Sequence, residues 1–235
     1  MSEQVVVGHQ PQLFPYLGIL HKISRADVYV IVDHVQFVKR YFHNRSYIKV
    51  NDAPHLLTVP VLTKGHAFEA LTEIRINRQG PWLDKLLKTV RLAYAKAPFF
   101  ERYYAPIEAI FRKGQERLVE LTSELLVFVL REYELAGDIR YSSALGVTGT
   151  RTQLLVDLTR AVGGTTYLSG AGAHAYVEPA LVAAAGLKHE FNAFRHPRYP
   201  QLGRTFLEGM GCVDLLFNCG KDGRKYIVTP ERYPQ

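Results

Sequence analysis

The sequence predicts an α/β fold with a mostly parallel sheet, a β-hairpin excursion and a helical insertion in the middle third. Apolar strands alternate with helices at both ends of the chain, two short alternating strands follow the first such unit, and the middle third has only helical spacing. Alternation of strands and helices is typical of parallel strands joined by right-handed crossovers. Because 235 residues suffice for one well-buried core, we expect a single domain over residues 1–235.

The chain opens with a β-α-β unit. An apolar strand, Val5 to Val7, runs into the polar turn Gly8-His9-Gln10-Pro11, and a short helix is expected from about Phe14 to Ser24. A second apolar strand, Asp27 to Val32, ends in Asp33. The two strands therefore end in polar residues on neighbouring tips.

A hairpin is expected next. Ser46 to Asn51 and His55 to Leu62 alternate as strands around the turn Asn51-Asp52-Ala53-Pro54. Apolar residues two apart in Leu71 to Ile76 predict one further strand.

Three helices are expected to make up an insertion over about residues 81–136. They are Pro81 to Ala97, Pro98 to Lys113 and Gln115 to Leu135, with proline at two starts and Gly114 and Gly137 as stops. An aromatic cluster in the second helix fits the core better than a pocket wall, because aromatics at helical spacing are usually core residues. The cluster comprises Phe99, Phe100, Tyr103, Tyr104 and Phe111.

The last third returns to alternating strands and helices. Strands are expected at Ile139 to Tyr141, Thr165 to Leu168 and Leu187 to Phe191. Helices are expected from the Thr148 to Arg151 cap through Val162, and from Pro179 to Ala185.

Composition bounds the class of protein. Hydrophobic residues make up 47% and charged residues 22%, as in ordinary globular proteins. No basic and apolar leader opens the chain and no apolar run approaches the roughly 18 residues that span a bilayer, so we expect a cytoplasmic protein without membrane contact. The formal net charge of +7 favours acidic partners such as phosphorylated substrates, carrier proteins or RNA.

The cysteines and histidines do not predict a metal site. Cys212 and Cys219 are seven residues apart near the expected carboxyl end of a helix, which is neither a zinc spacing nor a disulfide framework. We interpret both as reduced structural thiols. His21, His174, His189 and His196 also lack metal-ligand spacing, and no cofactor is expected.

The two strand tips carry the candidate catalytic residues. His9 and Gln10 follow the first strand, and Asp33 and Gln36 follow the second. Imidazole titrates near physiological pH, which makes His9 the candidate general base or acid. We expect Asp33 to orient His9, and Gln10 and Gln36 to contact substrate.

Further substrate-binding residues are expected in two regions. Lys39, Arg40, Arg45 and Lys49 form a basic cluster, in which Asn44 and Arg45 offer an amide and a guanidinium for a carboxylate or phosphate. The turn that begins with Ser169 and Gly170 offers backbone amides to an anion. Ser169 lacks the G-x-S-x-G spacing of a nucleophile elbow, because Tyr167 occupies the first glycine position, so binding is the favoured role. Tyr199, in the YPQLG run, completes the predicted binding set.

Four separated runs carry a family resemblance. In chain order they are GHQPQLFPYLGILHKISRADVYVIVDHVQFVKRYFHNRSYIK, LTVPV, TTYLSGAGAHAY and YPQLGRTFLEGMGCVDLLFNCG. They resemble the WbqC-like family, which occurs in bacterial surface-polysaccharide and secondary-metabolite gene clusters, and together they extend over nearly the whole chain. The resemblance implies modification of sugars or small metabolites.

Together these features favour an enzyme that forms an amide by acyl or aminoacyl transfer to an amino sugar or related amine. His9 would deprotonate the amine, and Asn44, Arg45 and the Ser169-Gly170 turn would bind the phosphate or acyl oxygen. The expected partner is a phosphorylated or acyl-carrier-linked small molecule.

Two alternatives remain open at the level of sequence. Pro15-x-x-Gly18 between strand and helix resembles the opening of HIGH-motif nucleotidyltransferases and adenylate-forming ligases, although Tyr16 and Ile19 replace the two histidines. The other alternative is a non-catalytic binding module for tRNA or a carrier protein. Binding of a phosphate backbone would weaken steeply with salt, which separates the last alternative from the enzymes.

Overall fold

The computed structural model describes residues 3–62, 69–135 and 137–228. Five strands form one parallel sheet: β1 (Val5–His9), β2 (Val28–Ile31), β5 (Asp138–Tyr141), β6 (Thr166–Ser169) and β7 (Lys188–Phe191). Their order across the sheet is β5-β2-β1-β6-β7. The expected mostly parallel α/β fold is confirmed.

The hairpin is a separate antiparallel pair, β3 (Arg45–Val50) and β4 (Ala53–Thr58), with Val50 opposite Ala53. The two residues between the strands, Asn51 and Asp52, have positive φ of 49° and 61°. Consecutive residues in the left-handed region make a turn whose twist matches that of the strands, and Asn and Asp tolerate this region better than other side chains.

The helices are α1 (Leu17–Ile23), α2 (Trp82–Tyr94), α3 (Phe100–Arg112), α4 (Leu118–Glu132), α5 (Ser142–Leu145), α6 (Arg151–Ala161), α7 (Pro179–Ala184), α8 (Cys212–Cys219) and α9 (Arg224–Val228). Most lie close to their predicted positions, but the two short helices α5 and α9 were not predicted. The aromatic cluster of α3 belongs to the core, since Phe100, Tyr103 and Phe111 are each at most 3% exposed.

Alternate residues of the sheet face two cores. Val7, Tyr29 and Ile31 belong to the larger core, which also contains buried residues of α1, α2, α3, α4 and α8. Val6, Val28 and Val30 face the opposite side, where Leu155 and Leu158 of α6 cover them. Because both of their faces are covered, β1 and β2 are apolar apart from His9 at the end of β1, as buried parallel strands usually are.

One predicted strand is wrong. Leu71 to Glu73 form a 3₁₀ turn, and Ile76 makes only an isolated bridge to Val61. Leu71, Ile74 and Ile76 are nevertheless buried. Their alternation therefore reflects burial in the larger core and not membership of a sheet.

The expected position of the cysteines is also only half right. Cys219 ends α8, but Cys212 begins it.

Glycine is required where α8 starts. Gly211 precedes the helix, and a Cβ atom on it would clash with the hydroxyl of Ser46 in β3, which packs closely against this position.

Candidate functional site

The candidate site lies where the order of the sheet reverses. From β1 the chain crosses to β2 on one side, and it later returns to β6 on the other side of β1. The connection that leaves β1 and the one that leaves β6 therefore run to opposite sides of the sheet. The gap between these two strand ends is a topological switch point, the place where open α/β sheets bind ligands. His9 ends β1, and Ser169 ends β6 and is followed by Gly170.

Two adjoining cavities meet at these strand ends. The larger, of about 440 Å³, extends over α1 past Phe14 and Ile19 to Asn192. The smaller, of about 340 Å³, extends over α6 past Leu155 and Leu158. Both cavities share five lining residues, which are His9, Lys22, Tyr41, Gly170 and Gly172.

Lys22 is the buried cation of this shared wall. It lies in α1, is 4% exposed, and its Nζ donates a hydrogen bond of 3.1 Å to the Gly8 carbonyl. Within the described ranges no carboxylate forms an ion pair with it. Burial without a counter-charge lowers the pKa of Lys22 to about 8. A lysine of this kind changes its charge within the physiological range.

His9 is held by two polar neighbours. Its Nδ1 lies 3.5 Å from Lys22 Nζ and its Nε2 lies 3.3 Å from the Gln12 side-chain nitrogen. Burial lowers the pKa of His9 well below its ordinary value, and the positive charges of Lys22 and His43 lower it further. His9 is therefore a neutral imidazole at neutral pH.

The state of Lys22 determines which nitrogen of His9 carries the proton. A charged Lys22 has only donors, so Nδ1 must accept, Nε2 carries the hydrogen, and the Gln12 amide has to turn its oxygen toward Nε2. A neutral Lys22 can accept from Nδ1, which leaves a lone pair on Nε2 that faces the Gln12 amide nitrogen. In the pair formed by His9 and Lys22, Nε2 of His9 can thus change from a proton donor to a proton acceptor without formation of an imidazolium.

Asp33 lies at the end of β2, but its carboxylate is hydrogen-bonded to the start of α5 and not to His9. Its Oδ1 accepts hydrogen bonds from the Ser142 hydroxyl and the Ser143 amide, both at 2.9 Å, and its Oδ2 accepts one of 2.7 Å from the Ser143 hydroxyl. These bonds fix the start of α5. The role of orienting His9, which the sequence assigned to Asp33, falls to Lys22 and Gln12 in the structure.

The predicted binding residues of the hairpin do not line either cavity. The Asn44 amide donates a bond of 2.7 Å to the Val59 carbonyl, and Lys49 is buried, 3.0 Å from Asp52. The Nε of Arg45 is buried without a partner among the described residues. Asn44 and Lys49 therefore stabilise the hairpin and its neighbours, in place of the predicted substrate contacts.

Of the remaining predicted residues, three lie at the cavities. Gln10 and Ser169 line the smaller cavity, and Gly170 lines both. Tyr199 does not line them, because its hydroxyl donates to the buried carboxylate of Asp214 at 2.8 Å. Gln36 is exposed and bridges to Ala70.

Sequence reasoning missed Lys22, Gln12 and Tyr41. The signal for Lys22 is its position in LGILHKI, an otherwise largely apolar helix in which every residue is buried. A lysine in such a helix has to place its ammonium in the interior or in a cavity. Gln12, three residues after His9, carried no comparable signal.

Neither cysteine is among the residues that line the two cavities. Burial raises the pKa of both thiols, to about 12 for Cys219, so neither is a thiolate at neutral pH. Among the described residues, no three side chains of His, Cys, Asp or Glu are arranged to hold a metal ion. No helix in the described ranges has the length and apolarity that crossing a membrane requires.

Comparison with known proteins gives the family. The chain is 26% identical over 226 residues to the uncharacterized protein Rv1507c of Mycobacterium tuberculosis (strain ATCC 25618 / H37Rv), an alignment that covers 93% of this chain and 95% of that protein. No solved structure matches the chain significantly. The model of the WbqC-like protein family matches residues 10–226, which include nearly all of the shared cavity wall. The chain belongs to the WbqC-like protein family.

Proposed function

We propose that this protein transfers an acyl or aminoacyl group to the amine of an amino sugar or related small metabolite and so forms an amide. The observation that supports the proposal most is the wall shared by the two cavities. A donor in one cavity and an acceptor in the other would meet at His9 and Lys22, which lie between them. Holding two reactants in contact is a large part of how transferases accelerate bimolecular reactions.

In the proposed reaction the amine attacks the acyl carbon and loses a proton to Nε2 of His9. The Nδ1 proton of His9 passes at the same time to the neutral amine of Lys22. The positive charge thus ends on Lys22, whose pKa of about 8 suits a proton carrier better than the lower pKa of His9 does. The new ammonium stabilises the oxyanion of the tetrahedral intermediate.

The acyl carbon then expels its leaving group, a thiolate, a phosphate or the ribose hydroxyl of a tRNA, which takes up the proton from Nε2 of His9 while Lys22 returns a proton to Nδ1. The products are an amide and the protonated leaving group, so the pair returns to its starting state. Surface-polysaccharide and secondary-metabolite pathways, the context that the family resemblance implies, contain amino sugars of the required kind.

The test incubates the purified protein with amino-sugar nucleotides and a panel of activated donors: acyl-coenzyme A, acyl carrier protein and aminoacyl-tRNA. Mass spectrometry then detects the amide. We expect His9→Asn and Lys22→Met to lower kcat by about 100-fold or more, the range of general acid–base catalysis. Lys88→Met, on the exposed face of α2, is the matched lysine control and should behave as the wild type.

Two results would count against the proposal. One is full activity of a well-folded Lys22→Met variant. The other is retention of tRNA or carrier protein with a steep salt dependence and no amide from any donor, which would favour the non-catalytic binding module.

A further inference from the structure

A second histidine lies at the candidate site, beside a serine. The Nε2 of His189 is 2.8 Å from the Oγ of Ser169. Ser169 ends β6 and His189 lies in the adjacent strand β7, where it pairs with Tyr167. Because residues 167 and 169 point to the same face of the sheet, this register brings the serine hydroxyl and the imidazole together.

The serine faces a cavity. Ser169 is 2% exposed, and it lines the smaller cavity together with His9 and Lys22. A small molecule in this cavity would therefore lie against Ser169.

The ring of His189 is held by its neighbours. It lies parallel to the Tyr167 ring, 6.5 Å away, and edge-on to Phe191 at 4.6 Å. Burial lowers the pKa of His189, and the neighbouring His174 adds to this effect, although Glu190 opposes it. The imidazole is therefore neutral at neutral pH and able to accept the serine proton.

We propose that Ser169 is a nucleophile that carries the acyl group between donor and acceptor, with His189 as its general base. The inference rests on the proposed function and adds a covalent intermediate to it. The G-x-S-x-G spacing belongs to a strand that turns directly into a helix. Here β6 is followed by a 3₁₀ turn, and the partner histidine comes from the next strand, so that spacing is not required.

The first half-reaction acylates the serine. Oγ of Ser169 attacks the acyl carbon of the donor and gives its proton to Nε2 of His189. The tetrahedral intermediate then breaks the bond to the leaving group, which departs with the proton from His189. Ser169 is left as an acyl ester and His189 as a neutral imidazole.

The second half-reaction transfers the acyl group. The amine, entering from the larger cavity, attacks the ester carbon and gives its proton to the pair formed by His9 and Lys22. The bond to Oγ breaks, Oγ recovers one proton from Nε2 of His9, and Lys22 returns a proton to Nδ1. The net change is an amide and a protonated leaving group, with both histidines and the lysine unchanged.

The experiment uses 4-nitrophenyl acetate as the donor probe, with no acceptor present. We expect a burst of 4-nitrophenolate that corresponds to one acetyl group per chain, which peptide mass spectrometry places on Ser169. Ser169→Ala should lose both the burst and the label, and His189→Asn should slow the acetylation by about 100-fold or more. Ser169→Cys should accumulate the acetyl thioester.

Two control variants are available in the chain. Ser24→Ala removes a serine that lines neither cavity and whose hydroxyl donates to the His21 carbonyl instead of lying beside an imidazole. His55→Asn removes an exposed imidazole of β4, which lines neither cavity. Both should show the wild-type burst. Thermal melts confirm that each variant is folded.

The inference is overturned if the acetyl group lies on Lys22 or elsewhere, or if a folded Ser169→Ala variant retains the burst. Its failure differs from failure of the proposed function. Amide formation that survives in Ser169→Ala but is lost in Lys22→Met means direct transfer without an acyl-serine. Acetylation of Ser169 with no amine able to remove the acyl group instead overturns the amide-forming function.

Discussion

Lys22 controls the proton chemistry that His9 can perform. A lysine ordinarily keeps its ammonium in water, but Lys22 places it against the Gly8 carbonyl and His9 Nδ1. Burial brings the pKa of the lysine down to about 8. In the proposed reaction only the neutral lysine allows Nε2 of His9 to accept a proton.

This requirement predicts a pH dependence. The rate constant kcat/KM for amide formation should rise as pH rises through about 8, the pKa of Lys22, because the neutral amine is the reactive form. Below that pH the ammonium donates to Nδ1 and leaves the proton on Nε2. The measurement is a profile of kcat/KM from roughly pH 6 to pH 10, in which the Lys22→Met variant should lack the rise. A rise at the same pH in that variant would assign it to another group.

The same burial predicts a cost in stability. The folded pKa of about 8 lies below the unfolded value of 10.5, so between these values the unfolded chain binds more protons and stability rises with pH. Below pH 8 the full cost is present, about 3 kcal/mol at 1.36 kcal/mol per pKa unit. Lys22→Met should therefore raise the free energy of unfolding at neutral pH by up to about that amount.

Urea unfolding of Lys22→Met and of the exposed control Lys88→Met measures this effect. A gain in stability together with a loss of activity is the pattern of a residue kept for function. Lower stability in the methionine variant would instead identify Lys22 as a structural residue.

At the scale of elements, the approach of β1 to β6 depends on a glycine. The Gly8 amide donates a hydrogen bond of 3.2 Å to the Tyr167 hydroxyl, and a Cβ atom on Gly8 would lie only 2.7 Å from that oxygen. Glycine at this position lets a tyrosine of β6 reach the backbone of β1, directly beneath the site.

Gly8→Ala should therefore lower the free energy of unfolding by about 1–3 kcal/mol, the usual cost of inserting a group into a packed core. The matched control is Gly172→Ala, because a Cβ atom there has no neighbour within 4 Å. Denaturant titrations of both variants compare the costs. Equal stability of the two would show that Tyr167 moves aside freely.

The elements also differ in how well the sequence predicts them. Helices α2, α3 and α4 follow from leucine and aromatic spacing, since each buries one stripe of its surface. Leu71 to Ile76 alternate like a strand but form a 3₁₀ turn, because buried residues two apart do not themselves specify a partner strand. The hairpin follows from its turn chemistry, in which Asn51 and Asp52 tolerate positive φ.

At the scale of the whole molecule, a buried carboxylate connects the cavity wall to the helices. Asp214 of α8 accepts hydrogen bonds from the hydroxyls of Tyr94 in α2 and Tyr199, at 2.7 and 2.8 Å, and from the Gln201 amide at 2.9 Å. Tyr199 and Gln201 lie in the segment from residue 192 to 211, which also supplies Phe194 and Gly209 to the larger cavity. Tyr199 and Gln201 of the YPQLG run therefore have a structural role, because both donate hydrogen bonds to Asp214.

Asp214→Asn should lower the free energy of unfolding by about 2 kcal/mol, because an amide cannot accept from all three donors and leaves at least one buried donor unpaired. The cavity wall should loosen as well, so KM should rise more than kcat falls. Calorimetry and steady-state kinetics measure the two effects, with the exposed Asp84→Asn as control. An unchanged KM would show that the network does not position the wall.

The sequence by itself determined the α/β class, the hairpin, the central helices and the position of His9 at a strand end. These follow from local patterns of burial and turn chemistry, which act over a few residues. Only the tertiary structure decided which polar side chains share a cavity. Lys22 meets His9 because α1 packs on β1, Ser169 meets His189 through the pairing of β6 with β7, and Asp33 turns to α5 because β5 lies beside β2. Such contacts depend on packing between distant segments, and their chemistry arises from burial that a linear sequence does not display.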